Sequence, residues 1–244
     1  MRRLWMSLLL VPVLAVALPT MASAAPAAPA APAAHAARTA PAAPARALQP
    51  GMSGAAVKAL QRRLAALKYY PGSIDGRFGT NTLEAVWAFY EVQGLPAHDY
   101  VSSAMKRALA HPRAPRVLVK HGGANRIEVS LSREVLVLYH NNHVELISHV
   151  STGGHYYYCS NGGCAVAITP TGNFKTVVFM PGWVQVPLGE MFNPVFFIGT
   201  AFAIHGDTDV PLAPVSHGCV RIPMDIAAFF HKLVHIPGEP VYIR

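Results

Sequence analysis

Residues 25–47 consist almost wholly of alanine and proline, with a few arginines and one histidine, and this stretch divides the chain. It has no large apolar side chains to offset the entropy of ordering a backbone, so no core can form there. Repeated proline favours extended polyproline geometry at about 3.1 Å per residue, which makes a semi-rigid tether. The folded part of this 244-residue chain must therefore come from the residues beyond 47, enough for two modest domains.

The segment before the tether reads as a processing signal. Arg2 and Arg3 form a basic start, Leu4 to Leu18 is an apolar run containing Pro12, and Ala22-Ser23-Ala24 supplies small residues for cleavage. The run is shorter than the roughly 18–20 residues that span a bilayer. No cysteine adjoins the cleavage point, which argues against a lipoprotein anchor. Residues 1–24 are thus expected to be a cleaved signal peptide, leaving an exported protein with no transmembrane segment. Loss of Arg2 and Arg3 lowers the formal charge from +8 to +6. A basic exported chain meets anionic wall polymers or membrane surfaces, and its lysines and arginines are too scattered for a nucleic-acid reader.

From residue 48 to 112 the apolar residues recur at helical intervals. Val57, Leu60, Leu64 and Leu67 mark one face of a helix started by Ser53-Gly54 and followed by Pro71-Gly72. Leu83, Val86, Trp87 and Tyr90 repeat the pattern behind Thr80 as N-cap, and a third helix runs from about Ser102 to Ala110. From residue 115 onward the texture is β. Strands are expected at Arg126–Leu131, Glu134–Tyr139, Val144–Ser151, Thr176–Met180, Val184–Pro187, Ala201–His205 and Val241–Ile243. Asn141-Asn142 is expected as a tight turn, and Met224–Leu233 as a short helix. The fold class is α+β: three helices, then a mostly β barrel or sandwich.

The chemistry concentrates in His205-Gly206 and Ser216-His217-Gly218-Cys219-Val220-Arg221. A cysteine nucleophile needs a base or positive neighbour that makes thiolate accessible, and donors for an oxyanion. Gly218 lets the backbone turn closely beside the thiol. Spacing alone leaves either His205 or His217 as the base. An odd count of three cysteines leaves one thiol over. Cys159 and Cys164 flank a turn with two glycines and are expected to form a disulfide, contributing about 2 kcal/mol by loop entropy. Cys219 then stays free. The alternatives are a buried or bridged Cys219, and a zinc site built on His155, Cys159 and Cys164, which lacks an evident fourth ligand.

Two resemblances sharpen this reading. Leu48-Gln49-Pro50-Gly51-Met52-Ser53-Gly54, Val57–Leu64 and Ile74-Asp75-Gly76-Arg77-Phe78-Gly79 resemble the peptidoglycan-binding helical repeat domain, departing from it at Tyr90, where that family has Gln. His205-Gly206 and Ser216–Cys219, with Thr152-Gly153 and Thr169-Pro170-Thr171-Gly172-Asn173-Phe174, resemble the YkuD-type L,D-transpeptidases over residues 116–244. The loop between His205 and Ser216 is shorter than in several relatives, and Arg221 stands where some have Asn. The resemblance implies Cys219 as nucleophile and His205 as base, oriented by the Gly206 carbonyl. It also implies backbone amides around His217, Gly218 and Cys219 as the oxyanion site. It further implies a chemistry without cofactor or metal, acting on peptidoglycan stem peptides and glycan to form 3→3 cross-links in the periplasm or wall. The alternatives are an L,D-carboxypeptidase trimming the same stems and a non-catalytic wall-binding protein.

Overall fold

The computed structural model describes residues 47–160 and 162–244. The leader expected over 1–24, and all but the last residue of the tether expected over 25–47, lie outside them. Helix α1 spans Ala55–Ala66, α2 Thr80–Gln93 and α3 Ser103–Ala110. The cap of α2 is Gly79 rather than Thr80, which is already helical, and Gly94 ends the helix in the left-handed conformation at φ 66°. Ser102 caps α3, its side chain accepting from the Met105 amide. The Asp75-Gly76-Arg77 turn is fixed by one buried side chain: Gln61 donates to Asp75, the Arg77 carbonyl and Thr82, and accepts from the Gly76 amide. Tyr90 is fully buried, its hydroxyl donating to the Tyr100 carbonyl and accepting from the Ser102 amide. It therefore serves the helical core and not a surface groove.

The remainder is two sheets, a hairpin and a fourth helix. The strands are β1 Arg126–Ser130, β2 Val135–His140, β3 His143–His149, β4 Tyr157–Ser160, β5 Gly163–Val166 and β6 Gly172–Lys175. They continue with β7 Val178–Phe179, β8 Trp183–Val186, β9 Gly189–Ile198, β10 Phe202–Asp207, β11 Val220–Pro223 and β12 Pro240–Ile243, with α4 at Met224–Phe230. One sheet runs β3-β2-β1-β12-β6. The other runs β11-β10-β9-β7, with β8 also on β9, and β4-β5 stand apart as a hairpin. Their facing sides share one core, with Leu136, Leu138 and Ile127 meeting Val195, Ile204 and Ile222, and with α4 packed in through Ile226 and Phe230. This is the sandwich alternative; neither sheet of the described residues closes into a barrel. Asn141 and Asn142 turn β2 into β3 at φ 50° and 62°, as a two-residue hairpin with right-handed strand twist requires. No helix among the described residues is long and apolar enough to cross a membrane.

Val135-Leu136-Val137-Leu138-Tyr139 is apolar at every position, and both faces of this strand are covered. Leu136 and Leu138 enter the sandwich core. Val135, Val137 and Tyr139 join Ile147 in the core of the helical unit, beside Phe89 and Val86. A strand buried on both faces loses the polar alternation of a half-exposed one. The turn after α1 also covers the β3 edge, the Ile147 amide donating to the Lys68 carbonyl at 2.9 Å. Arg133 caps the last carbonyls of α2, and Asn81 bonds Asp225 at the start of α4.

Candidate active site

Strands β10 and β11 are parallel neighbours, with Ile204 opposite Val220 and His205 opposite Arg221. Alternation along each strand decides which side chains do chemistry. Ile204, Val220 and Ile222 point into the sandwich core. His205, Asp207, Cys219 and Arg221 line the other side, around a cavity of about 580 Å³. Gly206 falls on the packed face: a β-carbon there would lie 2.6 Å from the Ala227 β-carbon, so α4 can sit against β10 only because the residue is glycine.

His205 is 4% exposed, and its Nδ1 lies 2.9 Å from the Gly206 carbonyl oxygen. A carbonyl only accepts, so Nδ1 carries the hydrogen and Nε2 keeps a free lone pair. Burial pushes the imidazole below its ordinary 6.5, against the pull of that carbonyl and of Asp207; Arg221 lowers it further. Burial pushes the Cys219 thiol up, opposed by a hydrogen bond from the Ala203 backbone and by the charge of Arg221. Both shifts favour uncharged partners at rest, a thiol beside a neutral imidazole, over a preformed ion pair.

The turn into Cys219 is held from several sides. Ser216 is 2% exposed; its hydroxyl donates to the Cys219 carbonyl at 2.6 Å and accepts from the Gly218 amide at 3.0 Å. Thr169 donates to the Gly218 carbonyl and accepts from the Gly153 amide. Gly218 has φ 137°, and a β-carbon there would meet the Phe202 ring at 2.6 Å. With the Gly218 amide engaged, the amides of His217 and Cys219 are the donors of this turn that bond no acceptor among the described residues.

His217 is placed differently from His205. The rings of Tyr156 and Tyr158 meet it edge-on at 5.5 and 4.7 Å, and burial and Arg221 lower its pKa. Tyr158 belongs to the β4–β5 hairpin, which forms one wall of the cavity. Cys159 and Cys164 face each other in that hairpin and are joined by a disulfide, so their sulfurs are not available to a metal, and Cys219 is the free cysteine. Tyr157, between the two tyrosines that touch His217, is 84% exposed. Arg221 pairs with Asp207 at 3.1 Å and donates to the Asp209 carbonyl.

Of the motif residues singled out in the sequence, His205, Ser216, His217, Cys219, Arg221 and Cys164 line one cavity, whereas Gly206 packs against α4, Gly218 against Phe202, and Cys159 reaches the wall only through its bond to Cys164. Asp207, Ser151 and Glu134 are not among the residues singled out in the sequence, and neither is the bonding of Glu134 to Thr152. Glu134 takes the Thr152 amide and hydroxyl, each at 2.7 Å, and Ser151 bonds the Ala213 carbonyl and the Val215 amide. Only long-range pairing brings Ser151 and Glu134 to the turn before Cys219, so no local spacing could reveal them, whereas Asp207 stands two residues after His205 on the same strand face, where alternation alone could have found it.

Comparison with known families matches residues 53–109 to a peptidoglycan binding domain and residues 124–243 to the L,D-transpeptidase catalytic domain. Among solved structures, an L,D-transpeptidase from Xylanimonas cellulosilytica superposes with a TM-score of 0.77 at 30% identity, over 84% of this chain and 100% of that one. An L,D-transpeptidase from Stackebrandtia nassauensis is more distant, at a TM-score of 0.45 and 20% identity over 82% and 97% of the two chains. No curated protein matches the chain.

Proposed function

Because the chain belongs to the L,D-transpeptidase family, we propose that Cys219 is its acyl-carrying nucleophile and His205 its general base, and that it forms 3→3 cross-links in peptidoglycan. The observation that carries this reading is the side-by-side placement of β10 and β11, with His205 and Cys219 on one cavity and His205 Nδ1 already donating to Gly206. Nε2 takes the thiol proton as sulfur attacks the carbonyl of the third, L-centred stem residue. The amides of His217 and Cys219 receive the oxyanion. The C–N bond to the terminal D-alanine then breaks, its amine leaving with the proton from His205, and a thioester remains. The amine of a neighbouring stem attacks the thioester and gives its proton to His205. Thiolate departs and is reprotonated, so no redox partner or cofactor is needed. Arg221, held by Asp207, and the Ser216 turn support the site.

Export through residues 1–24, the tether over 25–47, and wall attachment through the helical unit fit the same reading. Anionic wall polymers are a further contact for the basic chain. Incubation with disaccharide-tetrapeptide, followed by mass spectrometry, tests it: cross-linked dimers are expected. Trimmed monomers alone would make the protein a carboxypeptidase, and unchanged substrate would leave only wall binding.

A further inference from the structure

His149 ends β3 away from the reacting atoms, is 1% exposed, and plays no part in the chemistry above. Its ring is nevertheless engaged at both nitrogens. Nδ1 lies 2.8 Å from a carboxylate oxygen of Glu91 on α2; Nε2 lies 3.1 Å from the carbonyl oxygens of Val210 and Pro211. The edge of Trp87, one turn before Glu91, packs against the ring. Val210 and Pro211 belong to the segment running from His205 to Cys219. That segment is fixed further on by Ser151, which bonds Ala213 and Val215, and by Thr152, whose carbonyl accepts the Ser216 amide.

Proton counting constrains the site. Carbonyl oxygens only accept, so Nε2 must carry hydrogen. Nδ1 then either carries a second hydrogen facing a carboxylate, or presents a lone pair to a protonated Glu91. Both descriptions contain the same number of protons and the same zero net charge, so the two side chains hold one proton in common. If that proton is lost, the ring keeps a single hydrogen for two acceptor-facing nitrogens, and one of its two bonds must fail. Other ionisable groups whose charge reaches this cluster are Glu84 of α2 and Glu134 of the turn before β2, with Asp225 of α4 beside Glu84. Burial raises Glu91 to about 7; for His149, burial works downward but the Glu91 bond and charge and the two carbonyls outweigh it. Both shifts are upward, so the proton is retained in acid and lost as pH rises past neutrality.

We propose that His149 is a positioning residue: through a proton shared with Glu91 it fastens the segment between base and nucleophile to helix α2. The proposal rests on the acyl-transfer reading for its kinetic consequence, and its backbone consequence stands apart from that reading. Glu91→Gln keeps both hydrogen bonds, its amide donating to Nδ1 while Nε2–H stays on the carbonyls, and removes the shared proton. His149→Asn retains a donor toward Glu91 and loses the reach to the carbonyls.

Carbapenem acylation of Cys219 and hydrogen exchange of residues 208–216 are measured from pH 6 to 9 and taken as ratios to wild type, which cancels the titration of Cys219 itself. His149→Asn is expected to slow acylation about tenfold at pH 6, through displaced geometry, and to speed exchange, with both ratios approaching one at pH 9. Glu91→Gln is expected to track wild type at pH 6 and to exceed it severalfold in acylation at pH 9, with slower exchange. Ratios for Glu91→Gln that do not change with pH would overturn the shared proton, as would wild-type behaviour of a folded His149→Asn overturn the positioning. Should wild type form no adduct, the acyl-transfer reading fails, and the exchange ratios still decide this one.

Discussion

Ile147→Ala tests whether the helical and β parts fold as one body. Ile147 is 2% exposed and lies on β3, yet it is buried in the core of the helical unit and donates its amide to Lys68. Truncating a fully buried isoleucine to alanine costs roughly 2–5 kcal/mol, a large share of the 5–15 kcal/mol typical of a domain. With a urea slope of about 3 kcal/mol/M, the midpoint should fall by about 1 M. Two tryptophans among the described residues report separately, Trp87 from α2 and Trp183 from β8. Urea melts of residues 47–244 followed by fluorescence, once with Trp183→Phe and once with Trp87→Phe, read each part alone. If the core is shared, both transitions shift together by the same amount. A shift seen by Trp87 with an unmoved Trp183 transition would refute the shared core.

Further outcomes follow from the site. His205→Ala should slow carbapenem acylation by roughly 10²–10⁴-fold, and His217→Ala by less, because the backbone amide of residue 217 survives; the reverse order, read by intact mass against time, would exchange their roles. The acid limb of the acylation rate should lie below pH 6.5, since burial lowers His205 and a depressed imidazole stays a free base in more acid solution; a limb at or above 6.5 would count against His205. Ser216→Ala strips partners from the Gly218 amide and the Cys219 carbonyl and should cost roughly 1–3 kcal/mol in a thermal melt, along with acylation rate. Gly206→Ala drives a methyl into Ala227 and should cost roughly 1–3 kcal/mol, while also tilting the carbonyl that orients His205.

The helical faces and the His-Gly and Ser-His-Gly-Cys segments were legible because each is local: side chains three or four apart share a helix face, and the nucleophile shares a short turn with its supports. Strand β9, Gly189–Ile198, was not expected. It carries Pro194 and an Asn193 at φ 48°, both of which read as strand breakers. They are accommodated because Asn193 exchanges hydrogen bonds with Gly182 across the β8–β9 hairpin, and the Pro194 carbonyl still accepts from Met180. The β4–β5 hairpin was missed for want of apolar alternation; its disulfide was legible from spacing, but its place beside His217 was not. The strand expected over Glu134–Tyr139 is present as Val135–His140, and the uniform hydrophobicity of residues 135–139 is its one trace of a second covering layer.

That covering layer bears on how such a chain can be inherited. Residues 47–112 look like a detachable cassette in the sequence, bounded by a tether and a change of texture. The outer side of β2 and β3 was nonetheless moulded to this particular set of helices. A recombinant that exchanged the cassette for another would expose Val135, Val137 and Ile147 or seat them against surfaces of the wrong shape. Changes in the two parts must therefore accumulate in step, and substitutions on the helices should be matched by substitutions on these strands more closely than by any near the thiol.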